Sequence, residues 1–567
     1  MRLSLRLHFA QQLCVLAFPL SVLAACALLP LAVDSTATAP VLDGFGATTL
    51  VPSQANEGAR RLFAQGIAQA YAFNEDEAVR AFKAALAQDP DCGMCAWGVA
   101  LQMGPNINST ERSNMPVAMQ YVGYAIAHSQ GASTRDLALM ESLALRYGHS
   151  AARAIAPLAG AVCRTPGSGE PADPLDIAYA GHMRQLASRF PNDPDVLALY
   201  AEAEMVATRG DWWDQASGKP AGRIGELATM LEAGLARHPD HVGLNHYMIH
   251  AVSATSVASR AERSADMLGK LAPKSPHLLH MPSHTYAYLG RYADATRVNQ
   301  LAIAADESMM VELKKQNFKD TRDWRRHNAE FQVYAAVMEG RGDVALEAAR
   351  GLAGRARGDH EFAEFMRSLP MVTLLNLQRW DGLLAEPMPT GDKGMATVMG
   401  EMARGIAMAR SSQLANARAA LDKLTPKAAA LLASHKGDGA KLIQSLVQSA
   451  QAQLSAEIAL ADGRIEDALK LQAEAVQAAA HVEKSEPPML ANGPRQRLGD
   501  MQLRAKRFTA AEQSFRDDLA IHPRNGWAYK GLEAAFKGQG KNVEAQMAQR
   551  DVAATWPLAD KALRGAL

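Results

Sequence analysis

One spacing recurs along this chain, and few folds can accommodate it. After Gly66, the residues Ala78, Phe82, Ala85 and Pro90 follow at offsets of 12, 16, 19 and 24. Gly499, Ala511, Phe515 and Pro523 repeat three of those offsets near the other end. Gly405, Ala417 and Leu421 keep them in between, as do Ala456, Ala468 and Ala475. Small and bulky residues at such intervals sit where two antiparallel helices must touch or turn. The turn itself recurs as Gly290-Arg291-Tyr292, Gly340-Arg341-Gly342 and Gly463-Arg464-Ile465, each with an alanine five residues after its first glycine. Aromatics make up only 6% of an alanine-rich chain, which disfavours a large sheet. The expected fold class is all-α. At about 150 residues per domain a chain this long would hold three or four domains, but a repeat array makes that count meaningless.

The ruler resembles the tetratricopeptide repeat, a 34-residue helix-turn-helix whose copies stack into a right-handed superhelix, an α-solenoid. The resemblance covers most of 55–560, with irregular copies at 110–220 and 354–397. The clearest copies are 59–92, 242–275, 276–309, 326–359, 398–431, 449–482 and 492–525. It implies one elongated cooperative body whose first helices line a concave groove, and a protein or peptide as partner. A narrower likeness, to a poorly characterised bacterial subgroup, rests on Cys92-Gly93-Met94-Cys95-Ala96-Trp97-Gly98, Gly104-Pro105-Asn106-Ile107-Asn108, His246-Tyr247-Met248-Ile249-His250, His280-Met281-Pro282-Ser283-His284 and Asn525-Gly526-Trp527. Where that subgroup carries a second histidine after its His-Asn pair, this chain has Glu330, and the likeness implies no activity.

Histidines follow the same period. His246 and His250 are spaced i, i+4, His280 and His284 likewise, and each of the second pair lies 34 residues after its counterpart. An i, i+4 pair shares one helix face, and neighbouring helices pack about 8–10 Å apart. Four imidazoles are therefore expected to converge on one spot. The register from Gly340 places His327 and Glu330 on the next first helix. These six residues are the candidate ligands of a transition metal, Zn, Fe, Mn or Cu, since imidazole with carboxylate suits those rather than Ca or Mg. The competing readings are groove histidines for a carboxylate or phosphate, and histidines satisfied by each other and by Ser283 and Asn328. No Glu follows the first histidine of either pair, so the HExxH protease motif is absent.

The chain opens with Arg2 and Arg6 and then runs uncharged from Phe9 to Val33, the layout of an export signal. Residues 1–33 are read as that signal and 34–54 as a tether. Three fates fit: lipidation at Cys26 in Leu23-Ala24-Ala25-Cys26, cleavage after Ala27, or retention as an anchor. The expected location is extracytoplasmic, in the periplasm or tethered by lipid, with membrane contact only through this N-terminus. Lys+Arg and Asp+Glu are equal at 59 each, so no net field favours nucleic acid.

Cys92 and Cys95 allow a disulfide, a soft-metal site with Met94 or Met103, or simple burial; Cys163 is left over. Met248 and Met281 lie within the histidine motifs but point elsewhere on their helices and are read as core. Trp212 and Trp213 either rim the groove or cap an apolar edge. Phosphate-loop, dinucleotide and GxSxG motifs are absent. Three functions remain: a scaffold holding a protein or peptide in its groove, a hydrolase-type metalloenzyme with Glu330 as ligand or base, and a metal-handling protein.

Overall fold

The computed structural model describes residues 31–108, 114–149, 173–208, 212–214, 217–253, 256–318, 324–437 and 440–564. The signal segment to residue 30, Cys26 and Cys163 lie outside the described residues. Those described are helical with no strand beyond an isolated bridge between Trp213 and Pro220. The chain is an all-α helical-repeat solenoid of antiparallel helix pairs.

The ruler has a steric origin. A Cβ added at Gly66 would lie 2.5 Å from the Phe82 ring, and one at Gly98 would also lie 2.5 Å from it. At the far end the Phe515 ring is held between Gly499 and Gly531, where added Cβ atoms would approach to 2.6 and 2.3 Å. Each phenylalanine thus sits between the glycines of two successive first helices. The hairpin turns use left-handed backbone, with φ of 69° at Gly290, 75° at Gly340 and 79° at Gly463. Phe73 occupies the equivalent turn of the first pair at φ 54°, a conformation a bulky residue seldom adopts.

The array is not an elongated stack whose repeats touch only their neighbours. Its last hairpin folds back on the middle: Trp527 Nε1 donates to the Val337 carbonyl at 2.8 Å and Trp556 Nε1 to that of Met338 at 2.9 Å. Arg379 and Asp560 pair at 2.7 Å across the same seam. At the other end, the Tyr71 hydroxyl donates to Asp195 at 2.8 Å. The segment expected as a tether is also packed, because Phe45 and Leu50 are apolar and find burial against the first repeats. Thr48 and Thr49 bond the same Asp195 carboxylate. Burial alone would raise this carboxyl, but the hydrogen bonds from His241, Thr49 and Thr48 outweigh it and hold it at about 2.

Candidate metal centre

The helix Val242–Val252 carries His246 and His250, and the short helices Pro276–His280 and Pro282–Tyr288 carry His277, His280 and His284. Trp324–Met338 carries His327 and Glu330. The four expected histidines do not meet at one spot. They divide into two groups of three, His246 with His250 and His277, and His280 with His284 and His327, and each group brings its ligand atoms within 4.8 Å of one another. The groups are neighbours, with the His277 and His280 rings 6.3 Å apart. Counting from the start of each repeat, each group takes the fifth and ninth residues of one repeat and the second of the next. His277 and His327 are both second residues, so one repeat-built arrangement occurs twice. In the third repeat Glu330 and Tyr334 hold the fifth and ninth places, and the series ends.

In the first group His246 Nε2 lies 3.0 Å from His250 Nε2 and 3.1 Å from His277 Nε2. In the second, His280 Nε2 lies 3.0 Å from His284 Nε2. With metal–nitrogen bonds of about 2.0–2.1 Å, such separations subtend roughly 90–100° at a shared ion, an angle that neighbouring ligands of one metal can adopt. The first pair sits on a continuous helix. The second spans Pro282, which lacks the N–H that a continuous helix would bond, and the break still leaves the same 3.0 Å separation.

Hydrogen bonds decide which ring nitrogen faces inward. His246 Nδ1 is 2.7 Å from the Tyr71 carbonyl, so Nδ1 carries the proton and donates, leaving Nε2 bare. His280 Nδ1 is 2.7 Å from Asn299 Oδ1, and the Asn299 amide is oriented by its own donation to the Ala295 carbonyl. His280 Nε2 is therefore bare as well. His284 Nδ1 lies 3.2 Å from Glu486 Oε2 without the alignment of a full hydrogen bond, yet a lone pair against a carboxylate would repel, so the proton sits there. The two Nε2 atoms face each other at 3.0 Å, a contact that either a proton on one of them or a metal ion between them satisfies. Burial, followed by the neighbouring histidines, pushes His246, His277 and His280 well below the usual imidazole range. Burial and the facing His284 bring His250 down to about 3. These are neutral imidazoles, the ligand form.

Aromatic rings close each group. Phe73 lies 4.6 Å from His246 and 5.0 Å from His277, while Phe331 lies 4.5 Å from His284 and 4.8 Å from His280. His246 and His280 are wholly buried and His284 keeps 8% of its surface, while the His327 side chain keeps 31%. Glu330 is not with the converging nitrogens. It lies 3.7 Å from His327 Nδ1, beyond hydrogen-bond distance, and pairs with Arg326 at 3.0 Å.

Sequence reasoning missed two residues. His277 was discoverable, since it stands in the same register as His327. Glu486 was not, because the chain brings it from 202 residues beyond His284. Burial raises the Glu486 carboxyl, but the facing His284 draws it down further, to a net position below the usual range. Elsewhere, Cys92 and Cys95 form a disulfide, Met248 and Met281 are core, and buried Trp213 donates to the Ala251 carbonyl at 2.7 Å, capping an apolar edge. A third acidic group, Asp359, Glu364 and Asp392, is occupied otherwise: Glu364 accepts the backbone N–H of Lys393 and of Ala396, and the Lys393 ammonium pairs with Asp359.

No family model and no curated protein matches the chain. Solved structures similar to it include the Cut9–Hcn1 hetero-tetramer of the APC/C, at 10% identity, TM-score 0.24, and 90% of this chain against 96% of that one. A human IFIT1 dimer with PPP-AAAA is 10% identical at TM-score 0.29, covering 87% and 89%, and yeast Tom70 is 12% identical at 0.26, covering 90% and 93%. At such scores the likeness goes no further than stacked helices, and the site is read from its own atoms.

Proposed function

We propose that this protein is a metal-binding helical-repeat protein that holds two transition-metal ions, drawn from Zn, Fe, Mn or Cu, in paired three-histidine centres. The observation that carries the reading is the 3.0 Å approach of the His280 and His284 Nε2 atoms, with Nδ1 of each facing an acceptor outside the pair. Outer partners that fix a histidine's tautomer in this way are what metal ligands require. Three protein ligands leave a coordination position for water or substrate, so a hydrolase-type use of the metal is open to it. Metal analysis of the purified full chain tests the reading. Nearly two equivalents are expected, falling to one in His280→Ala/His284→Ala and to the other one in His246→Ala/His250→Ala. A chain that neither carries nor takes up any of the four metals overturns it.

We further propose that the protein works outside the cytoplasm. The basic, then apolar, N-terminal run and the Cys92–Cys95 disulfide support this reading, since disulfides persist in oxidising compartments. No described helix is long and apolar enough to cross a membrane. A protein or peptide partner would meet the outer surface rather than the histidine helices; the helix Asn542–Thr555 exposes Val543 and Met547 there. Cell fractionation tests location, and full-length chain with an intact N-terminus in the cytosol counts against export.

A further inference from the structure

Beside the second centre lies an apolar cavity of about 220 Å³. The helices Trp324–Met338 and Glu361–Asn376 supply its walls, among them Val337, Phe365, Met366 and Leu369, and the segment 485–491 adds a further wall. About 150 Å³ is enough to hold benzene, so this space admits one ring with a short chain. Its lining contains two charged residues, and both are carboxylates, Glu330 and Glu486. Glu330 is neutralised by Arg326 at 3.0 Å. Among the described residues Glu486 pairs with no Lys or Arg: one oxygen faces His284 at 3.2 Å, and the other accepts from the Ser253 hydroxyl at 3.5 Å. An acceptor-only charged group at the edge of an apolar chamber selects a ligand with an apolar body and a cationic donor. An anion would meet like charge, and a neutral hydrocarbon would leave the carboxylate without a counter-charge.

We propose that this cavity binds a small organic amine, with about one ring of apolar bulk against Phe365 and Met366 and its ammonium on Glu486. The inference adds a ligand site to the metal reading and does not require it, because no histidine lines the cavity. The two sites nevertheless share Glu486. A metal on His284 and an ammonium on Glu486 place like charges on one carboxylate, so each weakens the other, by the same factor in both directions.

Isothermal titration of the full chain, metal-loaded and metal-stripped, with 4-phenylbutylamine, 4-phenylbutanol and 4-phenylbutyrate tests the site. The amine is expected to bind best, the alcohol more weakly and the carboxylate not at all. Glu486→Gln should weaken the amine about ten- to a hundredfold while changing the alcohol little, as for loss of a charged hydrogen bond. Val337→Phe, which fills the chamber, should abolish binding of both, with circular dichroism checking that each variant folds. Stripped protein should bind the amine more tightly than loaded protein. Equal binding of amine and carboxylate, an unchanged amine affinity in Glu486→Gln or Val337→Phe, or, in protein shown to have taken up metal, an affinity equal to that of stripped protein overturns the proposal. If no metal is ever taken up, the stripped protein still decides the cavity, so the two readings fail separately.

Discussion

His280 depends on Asn299 as much as on its own ring. The Asn299 amide, turned by its bond to Ala295, keeps the proton on Nδ1 and the Nε2 lone pair pointing inward. Asn299→Leu removes that acceptor and should cost about 10- to 100-fold in affinity at the second centre, whereas Asn299→Asp should restore most of it. Metal titration with each variant checks both. The buried imidazoles also set a pH dependence for the metal-free chain. Their folded-state pKa values lie below the ordinary 6.5, with His250 at about 3, so the unfolded chain binds more protons between those limits. Stability should be full above about pH 6.5 and fall as the pH drops toward 3. Thermal unfolding of stripped protein against pH reads this, and His250→Phe should flatten the slope.

Among elements, the helix pair is the unit, and its small residues are what let it close. Gly66 lies inside the helix Glu57–Tyr71, where alanine would be the better helix former by about 0.8–1.0 kcal/mol. The Phe82 ring stands 2.5 Å from where that methyl would sit, and it cannot retreat because Gly98 meets its other side. Overpacking of this kind costs about 1–3 kcal/mol, so Gly66→Ala should be net destabilising despite its helix propensity. A lower urea midpoint with an unchanged slope would show it; a rise would mean that the ring relaxes. The hairpin turn contributes at the same scale. Gln378, Ser412 and Lys506 adopt the left-handed turn conformation of Phe73, so the hairpin imposes the backbone there. What is particular to Phe73 is that the turn aims a ring at His246 and His277.

The whole molecule is held by contacts that a linear array lacks. Trp556 packs beneath Gly340 and bonds the Met338 carbonyl, which closes the last hairpin onto the helix that carries His327. Trp556→Ala should cost about 3–5 kcal/mol. It should also enlarge the radius of gyration measured by small-angle scattering and weaken metal at the second centre more than at the first. Equal loss at both centres would mean that the closure supports the array as a whole rather than this one helix.

Much of this was legible before any coordinates. The offsets from Gly66 and Gly499 encode the helix pair, because a glycine at a close crossing leaves a mark at a constant distance from the ring it admits. The interval from His246 to His280 encodes the doubling of the site, because side chains in the same register of successive repeats share one side of the stack. The same register already contained His277, which makes two groups of three out of what spacing alone suggested was one group of four. Glu486, the Tyr71 carbonyl and Phe73 were not legible, since periodicity carries no information about which distant segments the curvature of the array brings together. Nor does it say whether the concave side stays open. The last hairpin and residues 485–491 pack against the middle of the array, beside the histidine groups and the cavity, and only packing between non-neighbouring repeats could decide that.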